Sequence, residues 1–197
     1  MTQDQLAALI TFAFVTSVTP GPNNLMLMAS GANFGIARTV PHMLGVSIGF
    51  VVMCFLVGLG LAGVILTVPL AATALKLASV IYMLWLAWKI AHAAPPAEGQ
   101  AAGKPMTFVQ AAAFQWVNPK AWAMALSAVT VYAPDRSLAS LGLVAAVFGL
   151  INLPSVSVWT VLGQQMRRLL TNPARLRAFN LTMALLLVAS LWPVLVP

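Results

Sequence analysis

The chain has 197 residues, of which 61% are hydrophobic and only 7% charged, and its mean hydropathy is +0.94. Soluble domains carry about 25% charged residues, so most of this chain must face lipid or itself, and six or seven crossings of about 20 residues leave no room for a separate soluble catalytic domain. Ten bases against three acids give a net charge of +7, which in so apolar a chain reads as a topological signal before it reads as nucleic-acid binding.

Met1-Thr2-Gln3-Asp4 lacks the basic segment of a secretory signal, so the first apolar stretch, about Gln5 to Ser30, is expected to be a retained span. Thr19-Pro20-Gly21-Pro22-Asn23-Asn24 interrupts it. The second stretch runs from about Thr39 to Leu66. Near its start His42 reads as a hydrogen-bonded interfacial histidine. Gly45 and Gly49 have the small-residue spacing that lets helices approach, for packing within the chain first and a homodimer contact second. The lone cysteine, Cys54, offers neither a disulfide nor a metal-binding thiolate cluster and is expected to be a buried small hydrophobe. A third stretch, about Pro69 to Ile90, closes on Trp85-Leu86-Ala87-Trp88-Lys89.

Residues 91–106 hold no apolar period, carry Pro and Gly, and read as a solvated linker. The fourth stretch, about Thr107 to Ala133, is interrupted by Trp116-Val117-Asn118-Pro119-Lys120, with Trp116 and Trp122 expected to pack in the core beside the break. In the fifth, about Leu138 to Leu162, Asn152, Pro154, Ser155 and Ser157 either line a path or bond between helices. The sixth, about Pro173 to Val196, starts with a good cap, Asn172, and a proline suited to the first helical position. Trp85, Trp88, Trp159 and Trp192 lie toward span ends, where interfacial anchors belong.

These stretches are long enough to cross a hydrocarbon core about 30 Å thick, and none shows the alternation of a barrel strand. The expected fold is an all-α membrane protein of six transmembrane helices, because an open sheet edge cannot be satisfied in lipid. Setting Pro22 against Pro119 also sets Ser30 against Ser127, about half the chain length apart. This points to two three-helix repeats, about 1–90 and 107–197, within a single transporter domain covering 1–197. With an odd number of spans the halves enter the membrane in opposite senses, the inverted-repeat arrangement of secondary transporters. Arg38, Lys89, Lys104, Arg167, Arg168, Arg175 and Arg177 then share one side and Lys76 and Arg136 the other, so both termini are expected away from the cytoplasm. The Arg-rich stretch from Gln164 to Arg177 serves mainly as that anchor.

Proline removes a backbone donor and displaces the carbonyl one turn earlier. Groups freed at membrane depth are tolerated only where protein or a water-filled cavity meets them. Asn23, Asn24, Asn118 and Lys120 bring polar side chains to these same points. Lys120 is the one ionisable group deep in a span, and a lysine there costs about 2.5 to 3.5 kcal/mol on insertion scales. Asp4, Glu98 and Asp135 all lie at an end or in a loop. The charge is offset by unwound carbonyls near Asn118 or Ser17, by an acid folding in at a mouth, or by an anion that comes and goes. A substrate carboxylate fits the last option, with its amine on carbonyls freed by Pro20, Pro22 and Pro119. The candidate substrate-binding residues are therefore Pro20, Gly21, Pro22, Asn23, Asn24, Asn118, Pro119 and Lys120.

At these residues the chain resembles the lysine exporter and homoserine/threonine resistance family, LysE/RhtB, over essentially its whole length. The motif Thr19-Pro20-Gly21-Pro22-Asn23-Asn24 carries most of the resemblance, Asn118-Pro119-Lys120 adds to it, and Trp85-Leu86-Ala87-Trp88-Lys89 is similar to the cysteine and O-acetylserine branch. The resemblance implies export of amino acids or close derivatives across the bacterial inner membrane, driven by the proton motive force. The residues leave the proton carrier open among His42, Asp4, Asp135, Lys120 and the substrate amine. They also leave open a small-ion or other-metabolite exporter or channel of the same architecture. A membrane enzyme is disfavoured because no metal-ligand cluster, His-Glu or Cys-His pairing, or acid pair lies in the spans. No cofactor, metal or nucleic-acid partner is expected, and membrane lipid is the surrounding partner.

Overall fold

The computed structural model describes residues 1–63, 67–93 and 103–195, and these are helical with no strand among them. Most of the expected linker, including Glu98, lies outside the described residues.

Helix α1, Gln3–Val18, opens with a capping box in which Thr2 and Gln5 satisfy each other's backbone donors. It stops where Pro20 and Pro22 withhold the next donors, and α2, Pro22–Phe34, starts on a proline at its first position. Gly35, at φ +80°, ends α2 in a conformation that favours glycine, and α3, Ile36–Leu56, follows without a loop. A wide turn at Val57–Leu61, with Gly60 at φ +107°, extends α3. Helix α4 is Pro69–Ala91.

The second half opens as the first does. Helix α5, Phe108–Phe114, carries a Thr107 and Gln110 capping box, tightens through Gln115–Val117, and breaks before α6, Pro119–Tyr132. Helix α7, Leu138–Arg167, is capped by Ser137, and α8, Pro173–Ala189, by Asn172, as its local sequence predicts. A short turn, α9, covers Trp192–Leu195.

Among the described residues, Ile36–Leu61, Pro69–Ala91 and Leu138–Arg167 are each long and apolar enough to cross a membrane. Helices α1 and α2, at 16 and 13 residues, are each shorter than the roughly 20 residues one crossing needs. The outer surface is apolar: Leu150 is 76% and Leu185 69% exposed, an arrangement suited to lipid rather than water.

Glycines set the tightest contacts. A Cβ on Gly31 would lie 2.2 Å from the Thr160 carbonyl oxygen, and one on Gly163 would lie 2.0 Å from that of Met28, so α2 and α7 touch backbone to backbone. Gly45 and Gly49 play the same part between α3 and α5, against Phe108 and Ala112. Their spacing therefore serves packing within the chain. Cys54 and Trp122 are buried in the main apolar cluster, where Phe148 stacks edge-on against Phe12 and Phe50.

Candidate functional site

The break between α1 and α2 exposes four successive carbonyls, and each accepts a hydrogen bond from a side chain elsewhere. Asn24 Nδ2 donates to the Ser17 carbonyl at 2.8 Å and to that of Thr19 at 2.9 Å. Trp159 Nε1 donates to the Val18 carbonyl at 3.0 Å, so this tryptophan also serves as a structural donor. Lys120 Nζ donates to the Thr19 carbonyl at 2.6 Å and lies 3.5 Å from the Pro20 oxygen. Proline removes the helical donors, and the tertiary structure replaces them.

Of the options open for Lys120, these contacts match unwound carbonyls, and the carbonyls belong to the first break rather than to the lysine's own. An ammonium has three donors, so the group can still serve an anion. In the second break Asn118 Oδ1 accepts from the Lys120 amide at 3.1 Å and Trp122 Nε1 donates to the Trp116 carbonyl at 2.8 Å. The N-terminus of α6 is thus capped by a side chain, whereas Gly21 at the start of α2 provides none.

The two breaks are tied directly. Asn23 and Gln115 exchange amide hydrogen bonds of 2.8 and 3.1 Å, and Gln115 also donates to the Ala111 carbonyl at 2.9 Å. Nothing in the local sequence singles out Gln115, which is fully buried.

Between the breaks lies a small polar cavity. Of the sequence-predicted residues, Gly21, Asn23, Asn24, Asn118 and Lys120 line it. Pro20, Pro22 and Pro119 do not; they set the helix ends around it. Thr16, Ser17, Phe50, Ala121, Met124, Asn152 and Val156 complete the wall. Asn152 donates to Ser17 Oγ at 3.3 Å, which joins the two alternatives offered for it, while its buried Oδ1 has no partner among the described residues. Its sequence signal was a polar residue two positions before Pro154 in an apolar helix. Ser155 and Ser157 bond instead to carbonyls of their own helix.

The cavity combines a lysine, an uncapped helix N-terminus and an unpartnered carbonyl acceptor, which together suit a small molecule bearing both a negative and a positive group. Among the described residues no three His, Cys, Asp or Glu side chains stand where they could hold a metal ion. His42 departs from its expected role: it is buried, and among the described residues neither ring nitrogen has a hydrogen-bond partner.

Comparison with known proteins matches residues 14–190 to the family described as LysE type translocator. The cysteine/O-acetylserine efflux protein of Escherichia coli (strain K12) is 30% identical over 191 residues, covering 95% of this chain and 96% of the relative. The protein of the same name from Shigella sonnei (strain Ss046) has the same identity and coverage, 30% over 191 residues. No solved structure gives a significant match.

Proposed function

The chain belongs to the LysE type translocator family, and from that premise we propose that it is a secondary transporter exporting amino acids or close derivatives across the bacterial inner membrane. The observation that carries this reading is the polar cavity at the meeting of the two helix breaks, with Lys120 on one wall and the Asn152 carbonyl on another. A substrate carboxylate sits against Lys120 Nζ and the backbone donors that start α2. The substrate amine sits against Asn152 Oδ1. This differs from the sequence expectation in one respect: the Ser17–Pro20 carbonyls already have protein donors, so the amine takes the acceptor that lacks one.

In this reading α1 with α2, and α5 with α6, are two broken crossings, and the chain is an inverted pair of three-span halves in one transporter domain. The paired capping boxes at Thr2 and Thr107, each followed by a proline-started half-helix, support that relationship. The proton motive force drives export, and the basic loops hold both termini on the non-cytoplasmic side. The relatives' names direct the choice of substrates to L-cysteine and O-acetyl-L-serine.

The test is efflux from proteoliposomes preloaded with labelled L-cysteine, O-acetyl-L-serine and other amino acids, with an imposed proton gradient. Export exceeding that of protein-free vesicles, and collapsing with an ionophore, is the expected result. No amino acid leaving faster than the control overturns the reading. Conductance of inorganic ions in its place would favour the channel alternative.

A further inference from the structure

Helix α2 borders a second, more open cleft, whose wall includes Met26, Ser30, His42, Lys89 and Lys104. Its polar neighbourhood is almost completely self-paired. Ser30 and Thr39 share a hydroxyl bond of 2.9 Å, and Asn33 and Asn180 exchange amide bonds of 2.9 and 3.3 Å. His42 is the exception, 2% exposed with both ring nitrogens unpartnered among the described residues. A neutral imidazole brings one donor and one acceptor, and burying both unused is costly. Lys89 and Lys104 are exposed, on the side assigned to the cytoplasm, and among the described residues no acid lines the cleft.

The first cavity reaches α2 at Asn23 and Asn24, the second at Met26 and Ser30. Asn23 and Ser30 are about 10 Å apart along the axis at about 1.5 Å per residue. The Asn23 and Gln115 amide pair therefore stands at the near end of one helix whose far turns border the other cleft.

We propose that this second cleft is an entry station for the transported amino acid, which holds the carboxylate with Lys89 and Lys104 and the amine with His42 before the molecule passes to the Lys120 cavity. The inference rests on the amino-acid transport reading above. Two stations sharing one helix would allow the cytoplasmic side to load while the Asn23–Gln115 pair keeps the deeper cavity closed.

The experiment is equilibrium binding of labelled L-cysteine and O-acetyl-L-serine to the full-length protein in phosphatidylcholine nanodiscs. Two bound molecules per chain are expected for the unaltered protein. Lys120→Met should leave one, and that remaining site should weaken at least tenfold with His42→Leu or with Lys89→Gln combined with Lys104→Gln. The double lysine variant changes exposed side chains only, so it reads the cleft even if His42→Leu fails to fold. In an otherwise unaltered chain it should lower the count to one. Binding that Lys120→Met abolishes completely overturns the second station, as does a residual site indifferent to all three cleft residues. Loss of that residual site in phosphatidylglycerol nanodiscs would also overturn it, by making the cleft a lipid-headgroup site. If the unaltered protein binds and exports no amino acid, the failure lies with the transport reading itself.

Discussion

Lys120 Nζ donates a 2.6 Å hydrogen bond to the carbonyl oxygen of Thr19, 101 positions away, and so joins the start of one half-helix to the broken end of another. The bond gives a deep positive charge a partner without a carboxylate and satisfies a carbonyl freed by proline. Such a charge-assisted bond contributes about 1.5 to 3 kcal/mol. Lys120→Gln should lower transport by about tenfold to a hundredfold, since about 1.4 kcal/mol corresponds to a tenfold change. Proteoliposome efflux at matched protein density measures it, and transport at the unaltered rate would show that the ammonium is dispensable.

Gly21 and Gly163 should separate function from folding. A Cβ on Gly21 would lie 2.6 Å from Lys120 Cδ and 3.1 Å from Nζ, and the lysine side chain can swing away. Its φ of −174° suits any residue, so only space is at issue. Gly21→Ala should fold normally yet transport at least several-fold more slowly. Gly163→Ala instead drives its methyl into the Met28 backbone, where nothing flexible can yield. Overpacking of this kind costs about 1 to 3 kcal/mol, and its signature is a lower Tm.

Asn23→Leu alone strands the buried Gln115 amide, at a cost of about 1 to 3 kcal/mol, and Gln115→Leu strands the half-buried Asn23 amide. The double variant removes both polar groups and should be less destabilised than the two single losses combined. A double-mutant cycle on reversible denaturation reads the coupling, and simple additivity would mean that the pair contributes no interaction of its own.

Hydrogen bonds from Ser137 and Ser140 hold the Asp135 carboxyl below its usual range. A carboxyl depressed in the folded state adds stability above its unfolded pKa of about 3.9 and loses it as the pH falls through the folded value. Thermal stability should therefore decline slightly in acid, and Asp135→Asn should flatten that decline. The group is fully exposed, so the change in Tm is small.

Topology reporters fused between α4 and α5 should report the cytoplasm, and those between α3 and α4 the opposite side. The reverse pattern would overturn the assigned orientation, and with it the side on which Lys89 and Lys104 are placed.

Local chemistry made much of the fold legible. Pro22 and Pro119 each open a helix, at the position where the missing donor is not needed, and Asn172 caps α8 for an equally local reason, whereas Pro41 and Pro154 lie inside α3 and α7. The stretch from Gln5 to Ser30, expected to be interrupted at Thr19 to Asn24, is two helices because Pro20 and Pro22 act within one turn. Partners across the chain were not legible. Asn23 meets Gln115 and Asn152 meets Ser17 only once helices dock, and Gln115 carries no signal in its own segment. His42, read locally as interfacial, is buried because α3 turns that face inward.

The sequence by itself determined that the chain is helical, apolar enough for a membrane, and broken twice with a lysine at one break, since each property follows from residues within a turn of one another. Only the tertiary structure decided which carbonyls that lysine meets and which acceptor stays open at Asn152. Hydrogen-bond satisfaction at a break is settled by whichever donors other helices bring, and that depends on backbone contacts such as those at Gly31 and Gly163.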